Sequence, residues 1–174
     1  LYLEGYLWDS ELAKNAFLKA AQVAKSSNTK IILSLSDSFC VDRHRASFLE
    51  LIDKYVDIVF CNESEVLSLF EKDKLANCQE GLSSLCELVV VTQGGNGSII
   101  INKNNVEVIK SIRKGEVIDT TGAGDIYAGG FIHGLINNYS LKKCGEMGSI
   151  CAGQIITQLG SRSNVDLKEL IRSI

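Results

Sequence analysis

The run Asp119-Thr120-Thr121-Gly122-Ala123-Gly124-Asp125 leads without a break into Ile126-Tyr127-Ala128-Gly129-Gly130-Phe131-Ile132. Two glycines around a small residue open an apolar helical stretch. First-turn amides of a helix have no partner inside it and carry the positive end of its dipole. They suit a phosphate, and the missing side chains let the anion approach the backbone. Asp125 adds a carboxylate in the same turn, which anion binding alone disfavours. It makes sense if it takes the proton from a hydroxyl attacking that phosphate. Phosphoryl transfer is the chemistry suggested, with Asp125 as general base and Gly122, Ala123 and Gly124 as the anion cradle. A helix merely capped by Thr121, with Asp125 favouring the dipole, explains the acid. It leaves Gly122, Gly124, Gly129 and Gly130 unexplained, since a helical glycine costs about 1 kcal/mol relative to alanine. The dinucleotide pattern G-x-G-x-x-G fails, because Tyr127 stands where its third glycine belongs, and no G-x-x-x-x-G-K-[ST] loop occurs.

Two further clusters carry chemistry. Asn62 and Glu65 lie three apart in Asn62-Glu63-Ser64-Glu65, on one helix face, where an amide and a carboxylate can hold the water shell of Mg2+. The same pair nearly spells a capping box, and spacing alone favours that structural role. Thr92-Gln93-Gly94-Gly95-Asn96-Gly97 closes a valine-rich run. A hydroxyl and open amides at a sheet's carboxyl edge suit nucleotide phosphates, with Thr92, Gly94 and Gly97 as the contacts; a simple turn is the alternative. Arg43-His44-Arg45 reads equally as a basic face or as a solvated helix start, and His133, inside an apolar helix, as packing.

These residues need elements to hold them. Residues 2–8 read as a strand, and 10–26 as a helix with Ser10 as N-cap and Leu12, Ala16, Ala20, Val23 and Ala24 at helical spacing. Strand 30–35 precedes a helix over 42–54 with Phe48, Leu49 and Ile52 inward. Strand 57–61 is followed by helices near 63–71 and 75–86. Leu88 to Thr92 is a continuous apolar run suited to a parallel strand covered on both faces. A hairpin pairs 98–101 with 106–109 around Lys103-Asn104-Asn105, and helices follow at 123–138, 141–158 and 166–173. Strands alternating with helices specify an α/β domain with a mostly parallel sheet, and no linker divides residues 1–174.

The chain has 174 residues, 45% hydrophobic and 22% charged, with net charge -3. That balance shows no basic stripe for nucleic acid, and no apolar run reaches the roughly 20 residues of a membrane span. Six cysteines without a C-x-x-C pair read as buried reduced thiols of a cytoplasmic protein. Proline is absent, and the chain opens at Leu1-Tyr2-Leu3 as if within a strand.

From Asp119 through Phe131 the sequence resembles the second signature of the PfkB (ribokinase-like) carbohydrate kinases: Asp-Thr-x-Gly-Ala-Gly-Asp, three variable residues, then small, small and apolar ones. The resemblance implies a three-layer ribokinase-like α/β fold and ATP-dependent transfer to a hydroxymethyl group of a sugar or nucleoside. The amides of Gly122 to Asp125 would form the anion hole, with Gly122 and Gly124 also touching nucleotide. Mg2+ would be reached through water from Asn62 and Glu65, and K+ held near Asp119 and Thr121. Thr92-x-Gly94-x-x-Gly97 resembles the family's nucleotide strand, and Cys151-Ala152-Gly153-Gln154 the small residues beside adenine. Leu35-Ser36-Asp37-Ser38-Phe39-Cys40 leans toward the adenosine-kinase branch. The family's glycine-rich first signature and strand-built lid have no counterpart here. The expectation is thus the later part of a longer kinase, its N-terminal strands and lid absent and its acceptor pocket incomplete. A homodimer is left open, and the rival reading is a nucleotide-binding remnant without turnover.

Overall fold

The computed structural model describes residues 1–103 and 105–172. Asn104, in the expected hairpin loop, and residue 173, at the expected end of the last helix, lie outside the described residues. The strands are β1 (Tyr2–Glu4), β2 (Ile32–Ser34), β3 (Ile58–Asn62), β4 (Leu88–Thr92), β5 (Ser98–Asn102) and β6 (Asn105–Ile109). They form one sheet ordered β1-β2-β3-β4-β5-β6. The β1–β2 and β2–β3 pairs are parallel, in register at Leu3↔Leu33 and Leu33↔Val59. The chain divides into two compact units, Leu1–Val91 with Ile101–Val106, and Thr92–Ile100 with Glu107–Ile174. Among the described residues no helix is long and apolar enough to cross a membrane.

The first unit holds α1 (Glu11–Ser26), α2 (Ser38–Tyr55), α3 (Glu63–Phe70) and α4 (Gln79–Leu85). Leu33, Val59 and Val90 are fully buried in successive strands, and Trp8, Phe17 and Phe48 add an aromatic group to the core. β1 is shorter than expected. Gly5 presses against the next strand's exit, where an added Cβ would lie 2.8 Å from the Leu35 carbonyl oxygen. The chain therefore turns into a 3-10 helix over Gly5–Asp9 that delivers Trp8 edge-on to Phe17, ring centroids 5.0 Å apart.

The inward face of α1 also differs. Phe17, Ala21 and Ala24 are buried, whereas Leu12 and Val23 are 84% and 54% exposed. Phe17 turns inward to meet Trp8 edge-on, and the rotation of α1 follows that aromatic contact. Ser10 occupies the N-cap without a side-chain cap bond. α2 begins earlier than expected because Asp37 caps it, accepting from the Cys40 amide at 2.6 Å. Leu51 takes the inward place expected for Leu49. The expected helix over 75–86 is a 3-10 turn, Leu75–Cys78, followed by α4.

The second unit is built on α5 (Ala123–Ile136), α6 (Leu141–Ile155) and α7 (Leu167–Arg172). α5 and α6 pack closely because their contact is made of small residues. A Cβ on Gly130 would meet the Met147 carbonyl oxygen at 2.7 Å, and one on Gly134 the Cys144 Sγ at 2.9 Å. α6 stops at Ile155, earlier than expected, because the next carbonyl is used elsewhere. The Ile156 oxygen accepts from the amides of Ile118 and Asp119, at 2.8 and 3.3 Å. That bond seats the start of the glycine heptad. His133 is half-buried within α5. All six cysteines are free, five buried and Cys86 half-buried.

Candidate functional site

A cleft of about 380 Å3 opens in the second unit, within the size range of small-molecule sites. Four stretches of chain build it. The first runs from the end of β4 through the following turn and supplies Thr92, Gly94, Gly95 and Gly97. Gly97 sits at φ 96, and an added Cβ would lie 1.9 Å from the Ile109 carbonyl oxygen. Only glycine fits there. The turn is tied by Gln93 N–H donating to the Gly97 oxygen at 2.8 Å.

The second stretch, Ser111, Ile112 and Arg113, follows β6. It is held by a stripe of small residues on α6 spaced four apart: Gly145, Ser149 and Gly153. A Cβ on Gly145 would meet Ile109 Cγ1 at 2.6 Å, and one on Gly153 the Ile112 carbonyl oxygen at 1.7 Å. Between them the Ser149 hydroxyl accepts from the Ile112 amide at 2.9 Å and donates to the Lys110 oxygen at 3.1 Å. Ser149 thus pairs two part-buried backbone groups of this stretch. Ser111 Oγ bonds the Gly95 oxygen at 2.8 Å, joining the first two stretches. Arg113 places Nη2 3.2 Å from where a Gly95 Cβ would be, and is the one charged side chain among the lining residues described.

The third stretch is the glycine turn, which supplies Thr120, Ala123 and Gly124, with Tyr127 one turn further. Asp119 shapes it. Its Oδ1 accepts from the Thr121 amide and hydroxyl at 2.9 and 2.7 Å, and its Oδ2 from the Gly160 amide at 2.8 Å. Those bonds, the Thr121 hydroxyl first, hold its carboxyl below the usual aspartate range. Gly122, at φ 76, is the left-handed residue preceding α5, where an added Cβ would strike Ser161 Cβ at 2.6 Å. The Ala123 amide is used within the turn, donating to the Thr120 oxygen at 3.1 Å. At Gly124 nothing lies within 4 Å of an added Cβ, so its flank is open. Asp125 is exposed in this first turn. Tyr127 is buried, with its hydroxyl 2.6 Å from Ser98 Oγ, and burial pushes it up to about 12. The fourth stretch, Ser149, Ala152, Gly153 and Ile156, comes from α6 and the residue that follows it.

Thr92, Gly94, Gly97, Ala123 and Gly124 therefore line one cleft. Gly122, Asp119 and Thr121 form the turn beside it, and Asp125 is not among the lining residues. Ser111, Ile112, Arg113 and Tyr127 were missed. A glycine–serine–glycine stripe at helical spacing was the signal available for Ser149 and Gly153.

Asn62 and Glu65 belong to the first unit, where they form a full capping box. The Asn62 amide donates to Glu65 Oε2 at 3.0 Å, and the Glu65 amide to Asn62 Oδ1 at 3.0 Å. Glu65 is only 4% exposed. Burial pushes its carboxyl up to about 7, against the Asn62 amide, with the charges of Asp37 and Glu4 adding to the rise. Ser36 Oγ donates to Glu4 at 2.9 Å at the carboxyl end of β1. Arg43 and His44 both engage Asp9, and Arg45 engages Asp42 and Glu71, so each is tied to an acid.

The profile of the pfkB family carbohydrate kinases matches residues 1–168. The chain superposes on the crystal structure of a probable sugar kinase from Rhizobium etli CFN 42 with TM-score 0.96 and 41% identity. It covers 99% of this chain and 52% of that one. An adenosine kinase from Sinorhizobium meliloti gives TM-score 0.96 and 40% identity, over 99% of this chain and 53% of that one. A nucleoside kinase of Methanocaldococcus jannaschii is 30% identical over 150 residues, 85% of this chain and 47% of its own length. The chain thus spans about half the length of these relatives. With a ribokinase-like α/β fold, a glycine turn opening α5 and a signature matched from Asp119 to Phe131, this chain belongs to the pfkB carbohydrate kinase family.

Proposed function

We propose that this chain carries the nucleotide site and the general base of an ATP-dependent kinase acting on a hydroxymethyl group of a sugar or nucleoside. The observation that carries the reading is the first turn of α5. An exposed carboxylate, Asp125, adjoins Gly124, whose open flank faces the cleft. Thr92, Gly94 and Gly97 border the nucleotide phosphates, and the α6 residues Ala152 and Gly153 border the base. Arg113 adds positive charge where the anion enters. Asp125 accepts the hydroxyl proton as the acceptor oxygen bonds the terminal phosphorus and the bond to the ADP oxygen breaks. First-turn backbone donors meet the charge that develops on the transferring group.

Asn62 and Glu65 are the residues that would hold a divalent cation, and only through its water shell. Both Glu65 oxygens already accept hydrogen bonds in the capping box, so Mg2+ that keeps its own waters suits the donor set better than direct ligation. When bound, Mg2+ supplies charge neutralisation on the nucleotide phosphates. Asp119 spends three acceptor positions on Thr121 and Gly160, leaving about one for K+. Free cysteines suit a cytoplasmic setting.

The test is a MgATP assay with adenosine, ribose and fructose as acceptors, run with Asp125→Asn beside the parent. General-base loss should lower kcat by about 10²–10⁴-fold. Near-normal turnover in the variant removes Asp125 from that role. Thermal stabilisation by MgATP with no product from any acceptor favours a nucleotide-binding, catalytically incomplete unit.

A further inference from the structure

A second cluster of donors lies in the first unit, and no part of the kinase reading uses it. Asp9, Cys40 and His44 place one carboxylate oxygen, Sγ and one ring nitrogen within 4.8 Å of one another. Cys40 and His44 are four apart on α2, so they share a face, one turn apart. Asp9 ends the 3-10 helix that follows β1. Two ligands from one helix turn and a third from a separate element is a familiar metal-site layout. We propose that Asp9, Cys40 and His44 bind a borderline-soft divalent cation of the Zn2+ class, with water as its fourth ligand.

The geometry supports this in several ways. His44 Nε2 stands 2.7 Å from Asp9 Oδ1. In a tetrahedral zinc site with bonds of about 2.0 to 2.3 Å, neighbouring donors lie roughly 3.3 to 3.7 Å apart. All three donor atoms already lie within 4.8 Å of one another, close to that spacing. Cys40 is fully buried and forms the floor, while the Asp9 and His44 side chains, 42% and 18% exposed, form a wall open to solvent. The ion therefore has an entry path.

The cluster also brings its own outer support. Arg43 donates Nη2 to Asp9 Oδ2 at 2.8 Å and Nε to Oδ1 at 3.1 Å, fixing the carboxylate plane. Ligating carboxylates are commonly held in this way. The guanidinium charge opposes a cation, so binding is weaker than in a site without it. The Cys40 thiol bonds the Gly5 oxygen at 3.4 Å. On ligation its proton leaves to solvent, the metal–sulfur bond replaces the S–H bond, and the His44 ring keeps its proton on Nδ1. Thiolate, imidazole and carboxylate together suit Zn2+ or Co2+ better than Mg2+ or Ca2+.

The chain supplies its own reporter. Its single tryptophan, Trp8, precedes Asp9, and its indole N–H is buried without a partner among the described residues. Trp8 lies 6.1 Å from Phe48, ring to ring, and Phe48 lies 6.0 Å from His44. Purified protein would be titrated with Co2+ alone, followed by absorbance and Trp8 fluorescence, with Zn2+ as competitor. The expected result is a near-ultraviolet thiolate-to-cobalt charge-transfer band, saturating at one ion per chain. Trp8 should be quenched in parallel, and Zn2+ should reverse both signals.

Cys40→Ser should remove the band. His44→Gln and Asp9→Asn should each weaken Co2+ binding at least tenfold. These two changes lie at the accessible wall, so they decide the matter if Cys40→Ser does not fold. No band in the parent, a band that survives Cys40→Ser, or unchanged affinity in both His44→Gln and Asp9→Asn overturns the site. A band arising at another thiol, such as half-buried Cys86, gives one of the last two outcomes.

Discussion

Glu65 offers a prediction whose size follows from its surroundings. Its side chain is almost wholly buried, and burial pushes its carboxyl up to about 7 from an ordinary 4.5. The folded protein therefore holds a proton there that the unfolded chain has already released. Between those values the folded state binds more protons, so stability falls as pH rises. Each unit of difference is about 1.4 kcal/mol, so Glu65 costs roughly 3 to 4 kcal/mol well above pH 7 and almost nothing well below 4.5. Glu65→Gln keeps an oxygen to accept from the Asn62 amide and removes the charge. Its pH-independent effects on the capping box cancel when the variant is compared with the parent at two pH values. Urea unfolding at pH 5 and pH 8 should show the variant gaining about 2 to 3 kcal/mol on the parent between them. A gap that stays constant with pH would falsify the claim that burial controls this carboxyl.

Four further substitutions test the cleft. Gly153→Ala drives a Cβ into the Ile112 carbonyl oxygen, a backbone atom that cannot rotate away. It should lose about 1 to 3 kcal/mol and weaken nucleotide binding, as seen by unfolding and calorimetry. Gly129→Ala, in open space on α5, should instead gain up to about 1 kcal/mol; destabilisation there contradicts the open-space reading. Tyr127→Phe strands the fully buried Ser98 hydroxyl and should cost about 1 to 3 kcal/mol in urea unfolding. Arg113→Gln should raise the Kd for MgATP and flatten its dependence on salt, while an unchanged salt slope places the guanidinium away from the phosphates.

The local backbone around the candidate site was largely written in the sequence. The heptad from Asp119 to Asp125 declared a helix mouth with an acid in its first turn, and α5 begins at Ala123 with Asp125 there. Asn62 and Glu65 declared a capping box, and the hydrogen bonds are those of one. The valine run ended at Thr92 as expected. Each of these features depends on residues within a few positions of each other, where spacing alone fixes which groups can meet.

Other features were hidden because they depend on which surfaces oppose. The rotation of α1 follows Phe17 rather than Leu12, since the side that is buried is chosen by what packs against it. The arrival of Ser111 and Arg113 at the cleft depends on Gly145, Ser149 and Gly153, small residues whose purpose shows only when a carbonyl lies where a Cβ would be. The early end of α6 depends on the Ile156 oxygen being claimed by amides almost 40 residues earlier. The grouping of Asp9 with Cys40 and His44 spans more than 30 positions. Sequence determined the residue types and the local backbone at the glycine turn, because those follow from short-range sterics and hydrogen bonding. Tertiary structure alone decided which distant side chains share a cleft or a cluster, because close packing admits only one way for those surfaces to meet.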